Sequence, residues 1–233
     1  MRKQFRTLLI GATAIVALGA VPACSSGGSS SEATSPATTA ASAADAAAAE
    51  SFPEDARYIA DMPMSDGGTM TLGVAVTGDK VVAYACDGSK DEAWFFGNQD
   101  DGSLDITGKF QDNLAASYNG SDVVGDLTMN GVTYNFSAPQ VPDPAGMYTA
   151  SLDGVRASWV VRPDNTATGV QFTPGGDSPA FDEMNDQIQQ FRERVRNKRL
   201  LQPAAELDVT DLATTINGTP VQAELVTGTT TFK

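Results

Sequence analysis

Histidine is absent from the 233 residues and cysteine stands only at Cys24 and Cys86, which leaves carboxylates, hydroxyls, cations and aromatic rings to do chemistry. Ser-His-Asp and Cys-His nucleophilic systems and the common His-containing zinc sites therefore fall away. No glycine-rich phosphate loop follows a strand and opens a helix, and no CxxC pair offers a redox or metal site. The densest oxygen set, Asp100-Asp101-Gly102-Ser103-Leu104-Asp105, lacks the ligand spacing of an EF-hand and reads as a solvated hairpin turn. Carboxylates that act as a pair must face one another across a cleft, and no local spacing here sets two of them so. The expectation is a non-enzymatic chain without catalytic residues, metal or cofactor.

Binding chemistry has better material. Trp94-Phe95-Phe96 is the densest aromatic cluster. In a strand, Trp94 and Phe96 point to one face and Phe95 to the other. Trp94 and Phe96 are candidates to line a ligand cavity with Tyr84, Tyr148 and Trp159; the other use of such rings is to fill a core. Cys86 alternates with Tyr84 and Val82, which suits a buried thiol; an intermolecular partner is the alternative. The cations from Arg192 to Arg199 suit either an acidic partner or the chain's own acids.

The first 23 residues hold a basic start, Arg2, Lys3 and Arg6, and then an apolar run from Leu8 to Ala23. That order is the grammar of a signal peptide, and the run is shorter than the roughly 20 residues that cross a bilayer core. Val21-Pro22-Ala23-Cys24 resembles the lipobox of bacterial lipoproteins, with Pro22 in place of the usual small or β-branched residue. The resemblance implies cleavage between Ala23 and Cys24 and a diacylglyceryl group on the Cys24 thiol. It places the chain on the extracytoplasmic face of the cell membrane. Two acyl chains are what stable anchoring requires, at about 0.8 kcal/mol per buried methylene.

Residues 24–52 are almost wholly Ser, Ala, Thr and Gly and cannot build a core, so they are expected to form a disordered tether. A flexible coil of that length has a mean reach on the order of 25–30 Å. Tether and domain composition together resemble exported lipoproteins of actinobacteria. Beyond the signal's three cations the chain carries 12 basic and 29 acidic residues, a balance that repels nucleic acid and anionic headgroups.

Residues 53–233 are expected to form a single β-rich domain. Turn pairs recur at Gly78-Asp79, Asp87-Gly88, Asp101-Gly102, Asn119-Gly120, Asn130-Gly131, Asp153-Gly154 and Asn217-Gly218. Between them ten short runs from Thr69 to Thr173 read as strands, and alternation such as Met70-Leu72-Val74-Val76 predicts one wet face and one core face. The expected fold is mainly β, an antiparallel meander closed as a barrel, or folded as a sandwich, to remove open edges. A C-terminal amphipathic helix is expected over about 179–200, from Phe181, Met184, Ile188, Phe191 and Val195, and a final hairpin about Asn217-Gly218. The function these residues suggest is a tethered, non-catalytic module for a small apolar or envelope-derived ligand. A protein-interaction or structural role for the outer surface is the alternative.

Overall fold

The computed structural model describes residues 50–174, 196 and 199–232. The segment expected to be a signal, nearly all of the expected tether and most of the expected helix lie outside the described residues; of the helical span only Arg196, Arg199 and Leu200 are described.

Turn chemistry sets the pairing. At Asn130-Gly131 and Asp153-Gly154 both residues have positive φ, between 50° and 80°, the geometry of a two-residue hairpin whose twist matches its strands. β1 (Asp55–Pro63), β2 (Thr69–Thr77), β3 (Lys80–Cys86) and β4 (Glu92–Asn98) form a first antiparallel sheet, in which the two-residue turn Gly78-Asp79 joins β2 to β3 and longer loops make the other connections. β5 (Ser103–Thr107), β6 (Asn113–Tyr118), β7 (Asp122–Met129) and β8 (Val132–Pro139) form a second, in which Asn130-Gly131 is the turn between β7 and β8. In the third sheet, β9 (Gly146–Leu152), β10 (Val155–Val161) and β11 (Ala167–Thr173) are flanked by β12 (Leu200–Pro203) and by β15 (Glu224–Leu225). A hairpin of β13 (Ala213–Ile216) and β14 (Thr219–Gln222) stands apart, turning at Asn217-Gly218.

The closed barrel is not formed. Ladder pairing stops between β4 and β5, and β8 packs beside β1 without a continuous ladder: the backbone pairing there, among the described residues, is the isolated bridge of Tyr58 with Gln140 and the bond from Val141 N to Arg57 O. The first sheet is instead a middle layer, buried on both faces. Met70, Leu72, Val74 and Val76 of β2 face a core shared with Leu104, Leu114 and Leu127 of the second sheet. The opposite face, with Ala75, Val82, Tyr84 and Cys86, packs against Met147, Val160 and Val170 of the third. The wet face expected for β2 is therefore dry. Small residues make this approach feasible: a Cβ on Gly73 would sit 2.5 Å from Met147 Cγ. Each fully buried Leu, Val or Met contributes on the order of 1.5–3 kcal/mol.

A third core lies on the far side of the third sheet. There Tyr148, Ala157 and Trp159 are covered by Leu207, Ile216 and Ala223. These described residues fall within one unit, Asp45–Lys233. Phe52, just before β1, rests on Tyr58 and Tyr118 at ring distances of 5.8 and 5.0 Å.

Candidate functional site

β4 is an edge strand, and that position gives its aromatic residues a second use. Phe95 is fully buried in the first core, whereas Trp94 and Phe96 project from the opposite face. There they stack 5.8 Å apart with only 14° between their planes. Trp94 rests on Tyr84, its cross-strand partner, at 4.4 Å. Phe96 remains 44% exposed, while Trp94 is half-buried and also packs against the second core; together the two rings form a platform. Phe232 stands on this platform as a perpendicular wall, 4.6 Å from Trp94 and 5.6 Å from Phe96, at 87° to both.

Platform and wall bound a cleft of about 300 Å³, whose floor and rim also include Glu92, Phe110, Asp112, Arg156 and Arg199. Arg156 enters from β10, on the face of the third sheet turned toward the first. Its guanidinium lies 4.8 Å from the Phe232 ring centroid, 5.4 Å from Phe172 and 5.6 Å from Trp94, each within cation–π range. Arg156 Nη2 also donates to Glu92 Oε1 at 2.8 Å. Glu92 is only 2% exposed. Arg199 lies 4.5 Å over Phe110 and donates through Nη1 to the Glu92 carbonyl at 3.0 Å.

Behind the cleft the charges are paired inward. Arg196, which is buried, bonds Asp112 and donates through Nη2 to both carboxylate oxygens of Asp91 at 2.8 and 3.0 Å. Burial pushes the Asp91 carboxyl up against the pull of Arg196 and Arg199. Burial also pushes Arg196 down, but its bonds to Asp112 and the charge of Asp91 more than offset that. Lys109, at the rim, is lowered by burial and then by the neighbouring positive charges of Arg199 and Arg156. The cations at 196 and 199 thus meet the chain's own acids.

Four polar atoms on cleft-lining residues are buried without a hydrogen-bond partner: Glu92 Oε2, Trp94 Nε1, Asp112 Oδ2 and Arg156 Nε. Such atoms ordinarily find partners, because leaving one unpaired costs about 1–3 kcal/mol. Two larger grooves carry no such concentration. One of about 810 Å³ runs along Pro144, Asn165 and Glu206–Thr210, and one of about 470 Å³ lies beside Asp66, Asp87 and Tyr134; neither is lined by a residue with an unpartnered buried atom.

Of the five aromatic residues singled out in the sequence, Trp94 and Phe96 share the cleft and Tyr84 lies beneath them. Tyr148 and Trp159 are elsewhere, in the third core. Tyr148 donates to Pro144 O at 2.7 Å and Trp159 Nε1 to Ala205 O at 3.0 Å, so both have satisfied structural roles. Cys86 is fully buried among Val82, Tyr84 and the second core. The Asp100–Asp105 segment forms a turn, with Asp100 and Ser103 exchanging backbone bonds at 2.9 Å. Among the described residues no three His, Cys, Asp or Glu side chains gather as a metal site.

Glu92, Phe110, Asp112, Arg156 and Phe232 join the cleft without having stood out in the sequence. Arg156 carried a faint signal, as the one charged residue in the run Val155–Val161. Phe232 carried none, because its role depends on where the segment after β15 crosses. No protein-family model matches this chain, and no curated protein or solved structure matches it either.

Proposed function

We propose that the chain is an exported, lipid-anchored, non-catalytic module that holds a small envelope-derived ligand in the cleft of Trp94, Phe96 and Arg156. The observation that carries this reading is the set of unpartnered buried atoms on Glu92, Trp94, Asp112 and Arg156 lining one aromatic cleft. A buried ion pair such as Glu92 with Arg156 is a weak device for stability, since desolvation offsets its attraction. With one carboxylate oxygen and one guanidinium nitrogen unsatisfied, it is weaker still as a structural device and better suited to receiving a ligand. Concave, largely apolar sites with a few convergent polar groups are the usual form of small-molecule sites, and about 300 Å³ lies at the small end of their range.

The anchor half of the proposal rests on Val21-Pro22-Ala23-Cys24, with Cys24 carrying the lipid. The described chain begins at Glu50, whose N donates to Tyr118 O at 3.0 Å. The cleft includes the turn from Thr107 to Asp112, at the other end of β5 and β6. Those ends are separated by the length of β5, about 17 Å at the usual strand rise. A tether joining at Glu50 leaves the cleft clear of the attachment end.

The alternative, a partner docked on the basic stretch, is less well supported because Arg196 and Arg199 are turned onto Asp91, Asp112 and Glu92. The binding reading is tested by the mass of the intact protein purified from its own host under native conditions. A small molecule should accompany the chain.

A further inference from the structure

Building on that binding site, we infer that its ligand is a neutral oligosaccharide, whose entry displaces the Phe232 ring. The unpartnered atoms restrict the ligand's chemistry. Trp94 Nε1 and Arg156 Nε are donors that need acceptors, whereas Glu92 Oε2 and Asp112 Oδ2 are carboxyl oxygens that can accept from donors. A purely apolar ligand satisfies none of the four. A phosphate or carboxylate group satisfies only the donors and sets its charge against Glu92 and Asp112. A hydroxyl both donates and accepts, so adjacent hydroxyls on one ring can satisfy both kinds of atom.

The platform makes the second half of the match. Trp94 and Phe96 present nearly coplanar faces, negative at their centres, to which the weakly positive C–H face of a sugar ring is complementary. The Phe232 ring covers this place: it contacts both platform rings and the guanidinium of Arg156, yet it carries no oxygen or nitrogen that could accept from Nε1 or Nε. It is an apolar cover over polar groups.

The inference that the ligand has more than one ring comes from the space beyond the cover. A second cavity, about 560 Å³, lies on the other side of Arg156 and Phe232, lined by Ser151, Asp153, Gln222 and Glu224. Arg156 and Phe232 are common to both cavities and divide them. With Phe232 swung aside the two become one trough, floored by aromatic rings at one end and lined by hydroxyls, amides and carboxylates at the other. A chain of sugar rings has that alternation of apolar face and polar edge along its length.

The test uses the full chain isolated natively from its own host in mild detergent. The bound mass is released by denaturation, hydrolysed in acid and analysed for neutral sugars, with Phe232→Ala treated in parallel. A bound mass that yields two or more neutral sugar residues, retained at least as well by Phe232→Ala, is the expected result. A bound mass that yields no neutral sugar overturns the saccharide assignment and leaves the binding reading standing. A bare polypeptide mass overturns both.

Discussion

At the scale of single residues, Cys86 shows what burial does to a thiol. Removal from water pushes it up to about 12, outweighing the backbone bond from Gly88 and the Tyr84 hydroxyl that act in the other direction. The thiolate is the reactive form, so the folded chain should resist alkylation. In a Cys24→Ala chain, where Cys86 is the sole thiol, iodoacetamide in mildly alkaline buffer should leave the native protein unmodified and add one group after unfolding in denaturant. Equal labelling rates in the two states would contradict the burial. Residue type and alternation made Cys86, Trp94 and Phe96 legible in the sequence, because a strand's two faces follow from counting by two. Glu92 and Arg156 were not legible: they meet 64 positions apart across two different sheets, and no local spacing reports a contact of that kind.

At the scale of elements, the legible strands were those bounded by Gly, Asn and Asp turns; β2 and β3 begin and end where the turn residues place them. β1 went unread. Its alternation of Ala56, Tyr58, Ala60 and Met62 faces the first core, but Asp55, Arg57 and Asp61 on the other face and Pro63 at its end dilute the apolar pattern, and it is not among the ten runs read as strands. Asp61 instead has a partner in the third sheet. Its carboxylate accepts from Arg162 Nε at 2.6 Å and Nη2 at 2.7 Å, and from Thr71 Oγ1 at 2.7 Å. Hydrogen bonding from Arg162 is the largest cause of a lowered Asp61 pKa, against an ordinary value of 3.8. A carboxyl depressed in the folded state contributes stability that is present above its unfolded value and lost as pH falls through the folded one. The melting temperature of the native sequence should therefore drop more steeply with acid below about pH 4 than that of Asp61→Asn. Parallel curves in thermal denaturation would show that the clamp does not couple to folding.

At the scale of the whole molecule, antiparallel β structure followed from the turns, but the number of layers did not. Strand counting predicts how many edges must be covered and says nothing about whether a sheet is covered on one face or two. The information was present only indirectly, in the small residues Gly73 and Ala75 opposite Leu72 and Val74, which let Met147 and Val160 approach. The charge of the chain, −14 overall, belongs to the same scale: it favours solubility and disfavours polyanions without selecting a ligand. In the proposed reading, location depends on one residue, Cys24. Cys24→Ala should move the protein from the membrane fraction to the soluble fraction on cell fractionation, and unchanged membrane retention would remove the anchor from the account.

The central claim is that the cleft holds a ligand, and Phe96 is the residue through which to test it, because it is exposed and its loss leaves the cores intact. Native mass spectrometry should compare the wild-type chain with Phe96→Ala, both purified from the host. Added mass is expected on the wild type, with its occupancy reduced about tenfold in Phe96→Ala, as loss of about 1.4 kcal/mol of binding would produce. A bare polypeptide mass for the wild type, or equal occupancy in the two, would contradict the claim.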